Sequence, residues 1–385
     1  MPFALILLVT ALTHISFKGS KVLMSLFAIE LGANPLVIGV LFAMYSLFPV
    51  FLSVYAGKVS DRFGFRLPMI FGASGLAGGL LLPFLYPELT AMFLAVTLMG
   101  VFYIFFVVAV QHLIGSFGEG AERTRNYSFF SVTVGVTALL GPTTAGFCID
   151  AIGHRSTYLV LAAMPVIPVL VLLLMGRYLP QVQAQPERRT GRRVADLISN
   201  APLRRVLITA GIMETGNELV NFLLPIYGHS IGLSASQIGI VMGAYAMALL
   251  GVRAAMPTLV RLSSEERVLS GSMLLAATVC VGFPLAGSFW PMFAMAFLLG
   301  LGLGSGGPLS MVLSYNRSPA GRAGEAIGLR QTVNKTAEVV MPLVYGWIST
   351  ALGMLPVFWL GAALLGSASW LMHDDSRRVE RSKNV

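Results

Sequence analysis

Six ionisable side chains stand inside stretches otherwise apolar enough for a membrane interior: Lys18, Lys21, Glu214, Glu218, Lys335 and Glu338. In HISFKGSK, the spacing i, i+4, i+7 puts His14, Lys18 and Lys21 on one helical face. METGNELVN puts Glu214, Asn217, Glu218 and Asn221 on one face, and RQTVNKTAEVV does so for Gln331, Asn334 or Lys335, and Glu338. A charge near the bilayer centre costs roughly 2.5–3.5 kcal/mol, so six unpaired would cost roughly 15–20 kcal/mol. They must pair, hydrate or neutralise. A static ion-pair network that fixes helix packing is one reading. Apolar residues would pack the same helices as well or better, so a working polar cavity explains the six charges more economically.

The chemistry open to such a set is charge competition. An anionic substrate that takes a lysine leaves a glutamate without its partner and inclined to bind a proton, so anion and proton travel together. A cationic substrate competes with protons for the glutamates, which gives antiport. His14, Lys18 and Lys21 favour an anionic or zwitterionic ligand, the glutamates alone a cation, and the reading leans to the first. The expected substrate-binding set is His14, Lys18, Lys21, Asn217, Asn221, Gln331 and Asn334. Tyr45 and Tyr245 join it if they line the cavity, with core packing as their competing role. Glu214, Glu218, Lys335 and Glu338 are the expected proton-coupling set.

Long apolar helices must carry these groups. Of 385 residues, 56% are hydrophobic and 11% charged, with mean hydropathy +0.79. Soluble domains hold about a quarter charged residues, and an outer-membrane barrel would show short alternating segments instead. The expectation is an all-α membrane protein with twelve transmembrane helices in two pseudo-symmetric six-helix bundles. The spans lie near 3–29, 35–56, 68–86, 88–114, 126–150, 156–176, 206–228, 237–257, 267–288, 290–314, 326–350 and 354–372. Residues 1–176 would form the first bundle, 177–205 a basic cytoplasmic linker, 206–373 the second bundle and 374–385 a cytoplasmic tail. A register of 200 relates the halves: Ile38-Gly39 matches Ile238-Gly239, Tyr45 Tyr245, Pro142 Pro342, Gly146 Gly346, and Ala151/Gly153 Ala351/Gly353. It sets His14 opposite Glu214, Lys18 opposite Glu218 and Lys21 opposite Asn221. Parallel six-helix repeats are one plan of secondary transporters, with the substrate site near the midplane at the repeat interface.

The net charge of +9 reports topology and no nucleic-acid partner. All but four of the 26 Lys and Arg fall in alternate connections and the tail, among them Lys58/Arg62/Arg66, Arg253/Arg261/Arg267 and Arg317/Arg322/Arg330. This positive-inside pattern predicts a multi-pass membrane protein with both termini cytoplasmic. No cleavable signal is evident, because the first segment lacks a basic leader and its lysines interrupt the apolar run. Cys148 and Cys280 read as small core residues. No nucleophile set, metal-ligand cluster or nucleotide loop occurs at useful spacing, so no enzyme activity, cofactor or metal is expected. The glycine-rich GLGLGSGGP at 300–308 reads as close helix packing.

GKVSDRFGFR at 57–66 resembles the loop motif G-x-x-x-D-R-x-G-R-R/K of the major facilitator superfamily, with Gly57, Asp61, Arg62, Gly64 and Arg66 matching and Phe65 in place of a basic residue. Gly57 and Gly64 would permit close approach and a tight turn, and Asp61 would accept bonds from Arg62, Arg66 or a helix N-terminus. The repeat partner at 257–266, PTLVRLSSEE, lacks the pattern. GVTALLGPTTAGF resembles the antiporter motif of drug-exporting branches through Gly135, Gly141, Pro142 and Gly146, with Ala145 replacing a glycine. Small residues and a proline there allow close packing and a bend. The fourth span has no arginine where many proton antiporters of the superfamily place one, and Lys18 and Lys21 stand as substitute cations.

The resemblance, to the twelve-helix drug/proton antiporter branch, implies a secondary active transporter working by alternating access. The expected cargo is a small organic, anionic or zwitterionic amphipath, moved by proton-coupled export, by a monomer whose partners are that substrate, protons and lipid. The alternatives are an organic-anion/proton symport importer, a lipid flippase and, from another class, a non-transporting membrane sensor or partner.

Overall fold

The structure, a computed structural model, describes residues 3–117, 120–175, 195–319 and 323–383. Its helices are α1 Phe3–Glu30, α2 Pro35–Phe63, α3 Arg66–Leu85, α4 Leu89–Gly115, α5 Gly120–Met175, the short α6 Ala195–Ser199, α7 Ala201–Ser230, α8 Ala235–Leu262, α9 Glu265–Gly282, α10 Phe289–Leu303, α11 Gly306–Asn316, α12 Ala323–Leu352 and α13 Leu355–Lys383. Nine described helical stretches are long and apolar enough to cross a bilayer. One of them, Ser128–Leu174, is 47 residues long and turns back at Gly153, whose φ of 79° breaks α5, so it supplies two passes. The charged α7 and α12 fall outside that apolar set and complete the twelve. α10 and α11 form a single pass interrupted at Gly304–Ser305. The expected linker 177–205 lies outside the described residues as far as position 194, and α13 runs on through most of the expected tail.

The repeat is built into the backbone. Gly32 and Gly232 have φ of 80° and 82°, and Gly153 and Gly353 79° and 84°. The turn after α1 closes by Ala33 N–H to Ala28 O at 2.9 Å, and the turn after α7 by Leu233 N–H to Gly228 O at 3.0 Å. These are left-handed helix stops that only glycine adopts without penalty. Asn34 then caps α2 through Val37 N–H at 2.9 Å, and at the equivalent Ser234 the hydroxyl accepts from Gln237 N–H at 3.3 Å. A side chain at Gly100 would collide with the Tyr45 carbonyl, and one at Gly300 with the Tyr245 carbonyl.

By compactness the chain forms two units. The first holds Met1–Glu187 with Pro225–Gly243, the second Arg188–Leu224 with Ala244–Val385. Hence the end of α7 and the start of α8 belong to the first unit. In that unit Ile6 and Val9 of α1, Met69 and Ala73 of α3, Phe106 and Val110 of α4, and Leu172 of α5 make a buried cluster. α3 and α4 touch closely, since a Cβ at Gly72 would lie 2.7 Å from the Phe106 nitrogen. Lipid offers no hydrophobic drive between helices, so such small-residue contacts do the packing. In the second unit α9 and α13 are tied by Ser270 Oγ donating to Ser369 O at 2.9 Å and Ser369 Oγ to Ser270 O at 2.8 Å. Large apolar side chains are left outside, as Trp290 at 73% and Trp370 at 70% exposure illustrate, fit for a lipid solvent.

Candidate functional site

α1 carries the basic face of the first unit. Lys18 is held where α1 crosses α5, because a Cβ at Gly141 would meet Lys18 Cβ at 2.7 Å and Ile15 O at 3.0 Å. Gly19 makes the reciprocal approach, with Gly141 O 2.9 Å from its Cβ position. Gly141 thus positions Lys18 as well as letting two helices touch. Lys21 sets its ammonium 5.8 Å from the ring centres of both Phe42 and Tyr45, a cation–π pairing that substitutes for water. Tyr45 itself is buried, its hydroxyl 3.1 Å from Ser20 Oγ. His14 is buried too, with Nδ1 donating to Thr10 O at 3.0 Å. It is boxed by Tyr103, Phe106 and Phe130 at 5.4, 6.3 and 6.4 Å between ring centres.

The two loop glycines have different work. Gly64 ends α2 with φ 76°, ψ −177°, a conformation nearly confined to glycine, whereas a Cβ at Gly57 would meet nothing within 4 Å among the described residues. Gly64→Ala is therefore expected to cost about 1–3 kcal/mol and Gly57→Ala to stay within about 0.5 kcal/mol, measured by thermal unfolding in detergent. Equal effects would mean that the turn does not set this requirement. Arg66 donates through Nε to Leu172 O at 3.0 Å and through Nη2 to Leu173 O at 2.7 Å. It therefore ties α3 to α5. The Asp61 side chain lies outside the described residues. In the loop that lacks the motif, Glu266 pairs with Arg317 at 2.9 Å.

The α5 motif packs on the start of α8, inside the first unit. A Cβ at Gly239 would lie 2.6 Å from Pro142 O, and one at Gly146 would strike Ala235 O. Thr143 Oγ1 donates to Gly239 O at 3.3 Å. One turn further along, the Asp150 carboxylate accepts from the backbone N–H of Ala235 at 3.1 Å and of Ser236 at 2.9 Å. A carboxylate on the positive end of a helix is a favourable charge–dipole contact. On the same unit His154 of α5 pairs through Nδ1 with Glu30 of α1.

The second unit gathers the carboxylates on α7 and α12. The two helices are clamped by Tyr345, fully buried, whose hydroxyl donates to Thr215 O at 2.9 Å, and by the contact of Gly211 with Val333. Asn334 Nδ2 thereby reaches Glu214 Oε2 at 3.5 Å. Lys335 Nζ sits on both oxygens of Glu338, at 2.6 and 2.8 Å. Glu218 is buried at 3% exposure and accepts from Asn221 Nδ2 at 3.1 Å. Tyr245, also buried, donates to Asn217 Oδ1 at 2.5 Å. Gln331 is exposed on its helix. Three carboxylates, one lysine and three amides thus lie on α7 and α12 of the second unit.

Arg330 is the residue the sequence reading passed over. Counted there among the cytoplasmic cations, it is buried at 6% exposure inside the second unit, where Nη1 donates to Ser310 Oγ of α11 at 3.2 Å. The signal lay in the spacing: 330, 334 and 338 are i, i+4, i+8 and share one face of α12.

The family model described as Major Facilitator Superfamily matches residues 6–264 and 206–384. Among curated proteins, the multidrug resistance protein MdtG of Dickeya zeae (strain Ech586) is 25% identical over 350 residues, covering 86% of this chain and 83% of its own. MdtG of Proteus mirabilis (strain HI4320) is 24% identical over 336 residues, covering 85% and 82%. Among solved structures, the peptide transporter POT in complex with sulfate aligns with TM-score 0.81 at 13% identity, over 98% of this chain and 95% of that one. The nucleoside transporter NupG aligns with TM-score 0.81 at 12% identity, over 97% and 99%. At such identities these two likenesses speak for the fold alone.

Proposed function

The chain belongs to the major facilitator superfamily, and on that premise we propose that it carries out proton-coupled export of a small amphipathic zwitterion or anion by alternating access. It is a multi-pass inner-membrane protein and a secondary transporter, not an enzyme. The basic loops favour an orientation with both termini cytoplasmic, and export is movement away from that side. The name multidrug resistance protein carried by its relatives supports that direction.

The observation that carries the reading is the α7/α12 cluster, with Lys335 bridging both oxygens of Glu338 and Asn334 reaching Glu214. A proton on Glu214, Glu218 or Glu338 neutralises a costly intramembrane charge. The cationic end of a zwitterion does the same, so the two exclude one another and exchange follows. In the first unit, Lys18 and Lys21 on α1 are the cations that favour an anionic group.

Proteoliposomes with an imposed pH gradient test this with three probes: an amphipathic anion, an amphipathic zwitterion and the lipophilic cation ethidium. Gradient-driven accumulation of the zwitterion or anion, abolished when the gradient is collapsed, is the expected result. Transport indifferent to the gradient would leave facilitated diffusion. Accumulation of ethidium alone would move the substrate class to cations.

A further inference from the structure

The Tyr245 hydroxyl and Asn217 Oδ1 lie 2.5 Å apart, both within the second unit. That separation fits an O–H···O bond and is too short for N–H···O, so the phenol donates and the amide oxygen is the atom engaged. Tyr245 is 7% exposed and its hydroxyl has no second partner among the described residues. A buried phenol has one proton to place. Were the amide turned over, Nδ2 would donate to the phenol oxygen and the phenol proton would be left without an acceptor, the costlier arrangement. Both Nδ2 hydrogens of Asn217 therefore stay on the side away from Tyr245. Asn217 is half-buried on α7, and its Nδ2 makes no hydrogen bond among the described residues.

One turn on, the half-buried amide of Asn221 is held in the opposite sense. Its Nδ2 donates to Glu218 Oε1 at 3.1 Å, which leaves Oδ1 as the group on offer. On one face of α7 a pair of donors is thus followed, four residues later, by an acceptor backed by a carboxylate. We propose that Tyr245 is a positioning residue for substrate: it holds the Asn217 amide so that Nδ2 receives an acceptor oxygen of the cargo, while Asn221 Oδ1, with Glu218 behind it, receives the cargo's ammonium. The class that fits is an amphipathic amino-carboxylate, whose two charged groups are joined through one carbon. This deepens the zwitterion reading above and rests on it. Tyr245 then neither lines the cavity nor merely packs: its ring is buried and its hydroxyl acts through the amide it holds. Its repeat mate Tyr45 sets the same hydroxyl 3.1 Å from Ser20 Oγ, where there is no amide to orient, so the device belongs to one half only.

Uptake kinetics in proteoliposomes under a fixed pH gradient test this, with 2-aminooctanoate as the transported probe and heptylamine, its analogue without the carboxylate, as competitor. Tyr245→Phe removes the hydroxyl alone and should raise KM for 2-aminooctanoate about three- to tenfold, the usual weight of one hydrogen bond, with kcat nearly unchanged. Inhibition by heptylamine, which has no acceptor for Asn217, should stay parental. Asn217→Leu should raise KM at least as far. Tyr245→Phe built on Asn217→Leu should add nothing, since a residue that works through another has no effect once that other is gone. Ser270→Ala removes a buried hydroxyl that ties α9 to α13 and should lower the unfolding temperature with KM parental. A parental KM in Tyr245→Phe, or a further rise in the double variant, would overturn the positioning role and leave Asn217 as a substrate contact. A parental KM in Asn217→Leu would sink the reading of this α7 face as a substrate site as well. Weakened heptylamine inhibition in Tyr245→Phe, or an equal KM rise in Ser270→Ala, would mean general damage and also overturn the positioning role. Should Tyr245→Phe not purify folded, the double variant, which orphans neither partner, is compared with Asn217→Leu by the same criterion.

Discussion

Lys335→Met is expected to lower stability and to uncouple transport from the pH gradient, and adding Glu338→Gln is expected to restore only the stability. The single change leaves Glu338, 17% exposed, without the ammonium that now sits on both its oxygens. Breaking a fully buried pair costs about 3–5 kcal/mol. Lys335 is 42% exposed, so water or solvent ions screen part of the loss and about 1–3 kcal/mol remains. Neutralising both partners removes the uncompensated charge, and stability should return to within about 1 kcal/mol of the parent. Gradient-driven transport should nevertheless stay at least about tenfold down, equivalent to about 1.4 kcal/mol on the barrier. Thermal unfolding and proteoliposome uptake, read side by side on the two variants, make the distinction. A double variant that recovers gradient-driven uptake would reduce the pair to a packing strut and leave proton exchange to Glu214 and Glu218.

The second large effect lies at the crossing of α5 with the start of α8. Gly146→Val and Gly239→Val each aim a side chain at backbone: Ala235 and Ser236 in the first case, Pro142 O and Thr143 Cα in the second. Backbone cannot swing aside as the tip of a long side chain can, so the helices must part. Overpacking of this kind costs about 1–3 kcal/mol. It should also slow transport by about tenfold or more, since the Asp150 contacts with the Ala235 and Ser236 N–H groups lie one turn from the wedge. Cys148 supplies an internal reporter. It is half-buried between Gly146 and Asp150, while Cys280 is sealed at 1% exposure, so maleimide should label Cys148 several-fold faster in either variant. Gly251→Ala, where a Cβ meets nothing within 4 Å among the described residues, is the control. Parental labelling and parental transport in Gly146→Val would show that the crossing tolerates separation.

Much of the scaffold was legible because membrane helices write their period and their stops locally. Each apolar run and each glycine that ends one is a property of neighbouring residues, so the twelve passes and the repeat could be read directly. Gly32, Gly153, Gly232 and Gly353 sit at equivalent left-handed turns, as the register of 200 implies. The motif around Pro142 was legible as a place of close contact but not as to its partner, since nothing in GPTTAGF names Ala235 or Gly239. Among the described residues nothing lies within 4 Å of a Cβ at Gly57, while the positive φ of Gly64 makes the turn.

By itself the amino-acid sequence determined a multi-helix membrane protein with duplicated halves, and it determined which side chains are too polar for lipid and so must have work inside the protein. These are transfer free energies and helical spacings, and both are local. Only the tertiary structure decided who meets whom: Tyr345 on the Thr215 carbonyl, Lys21 on the rings of Phe42 and Tyr45, Arg330 buried beside Ser310. A partner is chosen by the rotation of one helix against another, and a rotation of a few tens of degrees exchanges one neighbour for the next without changing any residue's hydropathy.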